Sequence, residues 1–152
     1  MGVEIAGEHL LEAPRSDVWR MLNDPEVLQR CIPGCESLRQ SSEAAFDAVV
    51  ISRIGAIHAK FSGRVQLIDI EYLDGYRIVG EGSGGVAGFA KAEAKVRLSD
   101  AVEGTVLTYS FDAQIGGKLA QLGQRLIASA ARKLAAEFFS NFAAMVRSKS
   151  EA

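Results

Sequence analysis

The sequence contains no run of 18 uncharged apolar residues, so no segment reads as a transmembrane helix. Its start, Met1-Gly2-Val3-Glu4-Ile5, lacks the basic opening and apolar run of a secretory signal. A cytoplasmic address is therefore expected. Only two cysteines and two histidines are present. Cys31 and Cys35 stand in Cys-Ile-Pro-Gly-Cys, one residue too long for a Cys-x-x-Cys redox motif. Zinc wants four ligands and no second Cys or His pair stands nearby, so no metal is expected. Two reduced thiols in a loop suit a cytosolic chain; a disulfide switch is the alternative. His9 and His58 fall in separate strands. No Ser/His/Asp arrangement, His-Glu-x-x-His motif or phosphate loop is recognisable. No catalytic residue is assigned and no cofactor is expected. Internal repeats, low-complexity tracts and Pro-rich linkers are missing too.

The composition is that of a folded chain: 152 residues, 48% apolar and 24% charged. That length suits one domain, 1–152. The net charge of −2 hides a division. Residues 1–116 carry 11 basic and 17 acidic side chains, a balance of −6; residues 117–152 carry six and two, a balance of +4. A basic final segment on an acidic body favours anionic surfaces or acidic partners. Basic residues late in a helix also complement its dipole and solvate its outer face. No nucleic-acid partner is expected.

Alternation with period two dominates the middle. From Ile57 to Leu67, Ile57, Ala59, Phe61, Gly63, Val65 and Leu67 share one face, with His58, Lys60, Ser62, Arg64 and Gln66 on the other. Residues 88–98 and 105–115 repeat the pattern, as half-buried antiparallel strands do. Further strands are predicted at 3–11, 36–40, 45–54 and 75–83. Asp74-Gly75 and Glu103-Gly104 mark turns. Ser16 is read as the cap of a short helix through Leu22, and Asp24 as the cap of a second with Pro25 at its first position. Pro33-Gly34 stops the second helix.

A long Ala-rich helix is predicted over 117–147, about 46 Å at roughly 1.5 Å per residue. A globule of this size is about 40 Å across, so the helix spans it. Leu119, Leu126, Ile127, Ala130, Leu134, Phe138, Phe142 and Met145 form an apolar arc that Phe139 and Val146 widen past half the circumference. A surface helix needs about 100°. The excess implies that the helix touches the sheet and something else besides.

The expected architecture is α+β: a curved, seven-stranded antiparallel sheet wrapped around the long C-terminal helix, with two short helices after strand 1. Gly63, Gly80, Gly82, Gly88, Ala90, Ala92 and Ala94 face inward on this reading and leave volume between sheet and helix. Phe61, Val65, Tyr76, Ile78, Phe89, Leu107, Tyr109, Phe111, Leu119, Leu122 and Leu126 are the expected cavity lining, suited to a lipophilic molecule. A filled core, with glycines marking bends, is the alternative. Tyr109 and the loop Cys31, Ile32, Pro33, Gly34 and Cys35 are candidates to orient a ligand's polar end. Gly84 and Gly85 belong to a Gly-rich hairpin expected near the pocket mouth. Lys118, Arg125, Arg132 and Phe139 are expected to contact a membrane or partner. A pure interaction module would instead expose Phe138, Phe139, Phe142 and Val146. An enzymatic reading would need Tyr76, Tyr109 or Asp69 as inward titratable groups.

Four segments resemble a known family. Asp24-Pro25-Glu26-Val27-Leu28, Cys31-Ile32-Pro33-Gly34-Cys35-Glu36, Ala87-Gly88-Phe89-Ala90-Lys91-Ala92 and Gly116-Gly117-Lys118-Leu119-Ala120-Gln121-Leu122-Gly123-Gln124-Arg125-Leu126 look like the CoxG family of carbon monoxide dehydrogenase subunits. The last is the most specific, and the likeness covers essentially the whole chain. That family belongs to the helix-grip (START-like, SRPBCC) superfamily, whose folds hold hydrophobic ligands between sheet and C-terminal helix. The resemblance implies a non-enzymatic accessory role for a molybdenum hydroxylase of the carbon monoxide dehydrogenase type. It also implies recruitment of that enzyme to the membrane and a lipid or quinone as ligand. A cyclase, dehydratase or hydrolase of the superfamily is the alternative. Longer members carry an extension after the helix. Here the sequence ends at Ala152, so membrane contact is expected to be peripheral, at the inner face, worth about 1 kcal/mol per Lys or Arg.

Overall fold

The computed structural model describes residues 1–151. The chain runs β1 (Gly2–Leu11), α1 (Arg15–Leu22), α2 (Pro25–Cys31), β2 (Cys35–Ser42), β3 (Ala45–Ile54), β4 (Ile57–Glu71), β5 (Gly75–Ser83), β6 (Phe89–Ala101), β7 (Gly104–Gly116) and α3 (Gln124–Glu151). All seven strands join one antiparallel sheet in the order β1-β7-β6-β5-β4-β3-β2. Only β1 is displaced from chain order: the two short helices carry the chain from one sheet edge to the other. The sheet wraps around α3, a helix-grip, START-like architecture.

Strand alternation sets the inner face. The register pairs Tyr76 with Val96, Ile78 with Ala94, and Leu98 with Leu107, all apolar and turned inward. The outer face carries charge. Arg64 meets Asp47 across β3 and β4 at 3.1 Å, and Arg77 meets Asp69 at 3.1 Å and Glu93 at 3.8 Å. The Arg15 guanidinium donates to Asp74 at 2.7 Å and to Asp100 at 3.0 Å, tying α1 to the ends of β5 and β6. The buried Thr105 hydroxyl donates to the Ala13 carbonyl at 2.8 Å and holds the chain between β1 and α1.

Asp24 caps α2, its side chain accepting from the Glu26 amide at 3.0 Å, with Pro25 in the first turn. Ser16 is not the cap of α1. The helix starts at Arg15, its N-cap position is Pro14, and no side chain caps it. The long helix is also shorter than expected. Residues Gly117–Leu122 form a separate 3-10 turn, and α3 starts at Gln124. Gly117 (φ 74°) and Gly123 (φ 94°) occupy backbone regions that L side chains rarely adopt, and these two glycines bracket the turn. α3 is still about 42 Å long at roughly 1.5 Å per residue.

Two apolar clusters hold the helix. The larger joins Phe142 and Val146, both fully buried, with Leu11, Val18, Met21, Val27, Cys31 and Leu107 beneath the C-terminal half of α3. The smaller joins Val3, Leu119 and Ile127, with Ile57, Phe61 and Leu122 packed on it, at the other end. The wide apolar arc of α3 is thus shared between β1, the short helices and the space left between the two clusters.

A candidate ligand cavity between sheet and helix

Between the clusters α3 stands away from the sheet over a cavity of about 470 Å³. That volume lies within the roughly 300–1,000 Å³ usual for small-molecule sites. Its floor is the inner face of β5, β6 and β7: Tyr76 and Ile78, Ala94 and Val96, Leu107, Tyr109 and Phe111. β3 and β4 add Phe46, Val50, Ser52, Val65 and Leu67. One turn after another of α3 supplies the roof, through Ala131, Leu134, Ala135, Phe138 and Phe139. Leu28, Ile32, Pro33 and Leu38 close the side next to α2. No charged side chain lines the cavity among the described residues. Leu134 in the roof is 39% exposed.

The loop between α2 and β2 is fixed on both sides. The Ile51 amide donates to the Gly34 carbonyl at 2.9 Å. Asn141 of α3 donates to the Cys31 carbonyl at 3.0 Å. Gly34 has φ 77°, and a Cβ there would stand 2.1 Å from the Ile51 carbonyl oxygen, so only glycine fits. These bonds aim Ile32 and Pro33 at the cavity. Cys31, Gly34 and Cys35 do not line it. Cys31 closes α2 inside the core, with its Sγ 3.5 Å from Met145 Sδ, rather than lying in the loop. The Cys35 thiol donates to the Ser37 carbonyl at 3.3 Å. Both thiols are free, and burial pushes both above their ordinary pKa.

The structure brings together Val65, Tyr76, Ile78, Leu107, Tyr109 and Phe111 as the sequence predicts. It separates five others. Phe61, Leu119 and Leu122 fill the smaller cluster, because the break at Gly123 swings Leu119 and Leu122 off the helix. Phe89 lies over Gly116 and is 50% exposed. Leu126 is 38% exposed and meets the β3–β4 turn at Gly55. Gly84 lies over Phe61, so Gly84 and Gly85 stand by the smaller cluster and not at the cavity. Among the small residues expected to open the space, Ala94 lines it. Gly63 and Gly80 serve close strand approach instead: a Cβ on either would meet a neighbouring strand's carbonyl oxygen at 2.9 and 3.2 Å.

Phe139 is no surface contact. It lines the cavity and stacks on His9 at 4.2 Å and on Tyr109 at 4.8 Å between ring centres. Phe138 lines the cavity beside it, and with Phe142 and Val146 buried the exposed aromatic patch does not exist. Lys118, Arg125 and Arg132 are exposed. Sequence reasoning missed His9, which sits behind the wall with its pKa lowered by burial. It also missed the α3 residues Ala131 and Ala135 and the β3 residues Val50 and Ser52. Alternation on β3 carried a signal for Val50 and Ser52; nothing in the sequence joined His9 to a helix 130 positions away.

Asp69, named as an inward acid, is exposed and pairs with Arg77. Among the described residues no cluster of three His, Cys, Asp or Glu side chains stands ready to hold a metal ion. No described helix is long and apolar enough to cross a membrane.

An antiparallel sheet gripping one long helix across an apolar cavity defines a START-like, SRPBCC-type fold. The model of the CoxG family of carbon monoxide dehydrogenase subunits matches residues 7–147, and the chain belongs to that family. A conserved protein from Geobacillus kaustophilus superposes with a TM-score of 0.86 at 32% identity, over 97% of this chain and 95% of that one. A Thermus thermophilus protein matches at TM-score 0.72 and 18% identity, covering 97% and 99%. The ZhuI aromatase/cyclase of Streptomyces sp. R1128 matches at TM-score 0.71 and 10% identity, covering 97% and 94%. These last two show a shared fold. No curated protein matches the chain significantly.

Proposed function

We propose that this protein is a non-enzymatic accessory protein of a molybdenum hydroxylase of the carbon monoxide dehydrogenase type. It binds a hydrophobic molecule, a lipid or a quinone, between sheet and helix, and aids membrane recruitment or electron transfer. Family membership supports the partner. The observation that carries the ligand is the cavity: about 470 Å³ of space walled by aliphatic and aromatic side chains. A packed interior has few voids larger than a water molecule. Apolar burial contributes about 25 cal/mol per Å², enough to hold a lipophile without ionic contacts. Exposed Lys118, Arg125 and Arg132 offer a peripheral contact to an anionic membrane or an acidic partner, at the cytoplasmic face.

Trp19, the single tryptophan, reports on this space because its ring packs 5.6 Å from Tyr76 in the cavity wall. Titration with a short-chain benzoquinone is expected to quench Trp19 emission saturably. Ala135→Phe, which fills the cavity from α3, is expected to weaken the effect at least tenfold with the thermal midpoint retained. Equal, non-saturating quenching in both proteins would contradict the assignment.

A further inference from the structure

The wall of the cavity is not uniform in chemistry. Its polar side chains are Ser52, Tyr76 and Tyr109. Tyr109 is half-buried and stacked beneath Phe139, with its hydroxyl toward Gly7 of β1. Tyr76 differs. It is 5% exposed, lines the cavity, and its hydroxyl has no hydrogen-bond partner among the described residues. No fully enclosed side-chain oxygen or nitrogen among those residues lacks a partner, so this hydroxyl keeps some accessible surface, on a residue that lines the cavity. Polar groups in an interior are nearly always paired, and one left unpaired calls for an explanation. The strand register fixes its place: Tyr76 stands opposite Val96 at the start of β5, against Trp19 of α1.

We infer that Tyr76 is the head-group anchor of the site, and that the ligand is an uncharged lipophile whose carbonyl oxygen accepts a hydrogen bond from the Tyr76 hydroxyl. This rests on the reading of the cavity as a ligand site and narrows it. A phenol buried among apolar side chains stays protonated and offers one O–H donor. A ketone, quinone or ester oxygen matches that single donor. A carboxylate does not: it would give up its hydration for one hydrogen bond, with no cation in the wall to offset the loss. Free fatty acids and other anionic head groups are therefore rejected by the site, although their chains would fit the walls.

The test compares three probes of one chain length, 2-tridecanone, tridecane and tridecanoate, by displacement of a fluorescent lipophile at pH 7.5. Wild type is expected to bind the ketone, whose carbonyl desolvation the Tyr76 hydrogen bond offsets, and to bind the carboxylate more weakly than the ketone or the alkane. Tyr76→Phe keeps the ring and loses the donor. It is expected to bind the ketone roughly tenfold more weakly than wild type does, because the carbonyl is then buried unpaired, a larger loss than for the alkane, with the thermal midpoint unchanged. A ketone affinity that Tyr76→Phe lowers no more than the alkane affinity, or tridecanoate binding as tightly as the ketone, would overturn the anchor while leaving the cavity in place. Failure of all three probes to displace the dye would remove the cavity reading itself.

Discussion

Among single residues, the His9–Phe139–Tyr109 stack joins the first strand to the last helix behind the cavity wall. Burial lowers the His9 pKa from its ordinary 6.5, so the fold favours the neutral imidazole more than the unfolded chain does. As pH falls through about 6.5, the unfolded chain takes a proton that the fold resists. Stability contributed by neutral His9 is therefore present above that value. It is lost progressively as pH falls, levelling off below the depressed folded pKa. Chemical unfolding of wild type and His9→Gln between pH 7.5 and 5.5 checks this: wild type is expected to lose more stability over the window. Identical pH dependence in the two proteins would contradict it. The sequence places His9 in a strand and no more than that. What it faces depends on curvature of the whole sheet. Phe139 illustrates the same limit: a helical wheel places it on the apolar arc, but the wheel does not say whether that arc meets a void, a core or a partner.

One level up, among helices, strands and loops, the connection between α2 and β2 controls one side of the cavity. Gly34 is its fixed point, held by the Ile51 amide and closed to any Cβ. Gly34→Ala is expected to cost more than about 1 kcal/mol, since alanine is strained at positive φ, and to displace Ile32 and Pro33. Thermal or urea unfolding reads the cost. A variant as stable as wild type would show that the loop is not held as described. The strands were legible because each shows its two faces in every second residue: the β5 span, 75–83, matches residue for residue. Asp24-Pro25 was legible because cap chemistry is local. The boundary at Gly123 was not. An Ala- and Leu-rich stretch with scattered glycines reads as helix from propensity, and the two positive φ values that break it are a tertiary outcome. That single misplacement moved Leu119 and Leu122 from the expected lining to the smaller cluster.

In the assembled molecule, two clusters pin α3 at its ends and leave its middle over open space. The sequence indicated a hollow interior, partly for the wrong reason. Small inward residues were expected to create the space, yet Gly63 and Gly80 let strands approach closely. The space lies instead between α3 and the inner sheet face, walled in part by members of the larger cluster such as Tyr76, Val96 and Leu107, a property of the assembled fold with no local signature. The charge division also belongs here: −6 over residues 1–116 against +4 over residues 117–152 leaves the basic side chains on and beside α3, the element that roofs the cavity.

Mass spectrometry of the intact protein under non-denaturing conditions, after incubation with a neutral long-chain ketone, decides whether the interior holds a guest. Wild type is expected to carry one non-covalently held molecule that denaturation releases, and Ala135→Phe is expected to show the bare mass. A bare wild-type mass at saturating ketone, or equal loading of the filled variant, would contradict a ligand site between sheet and helix.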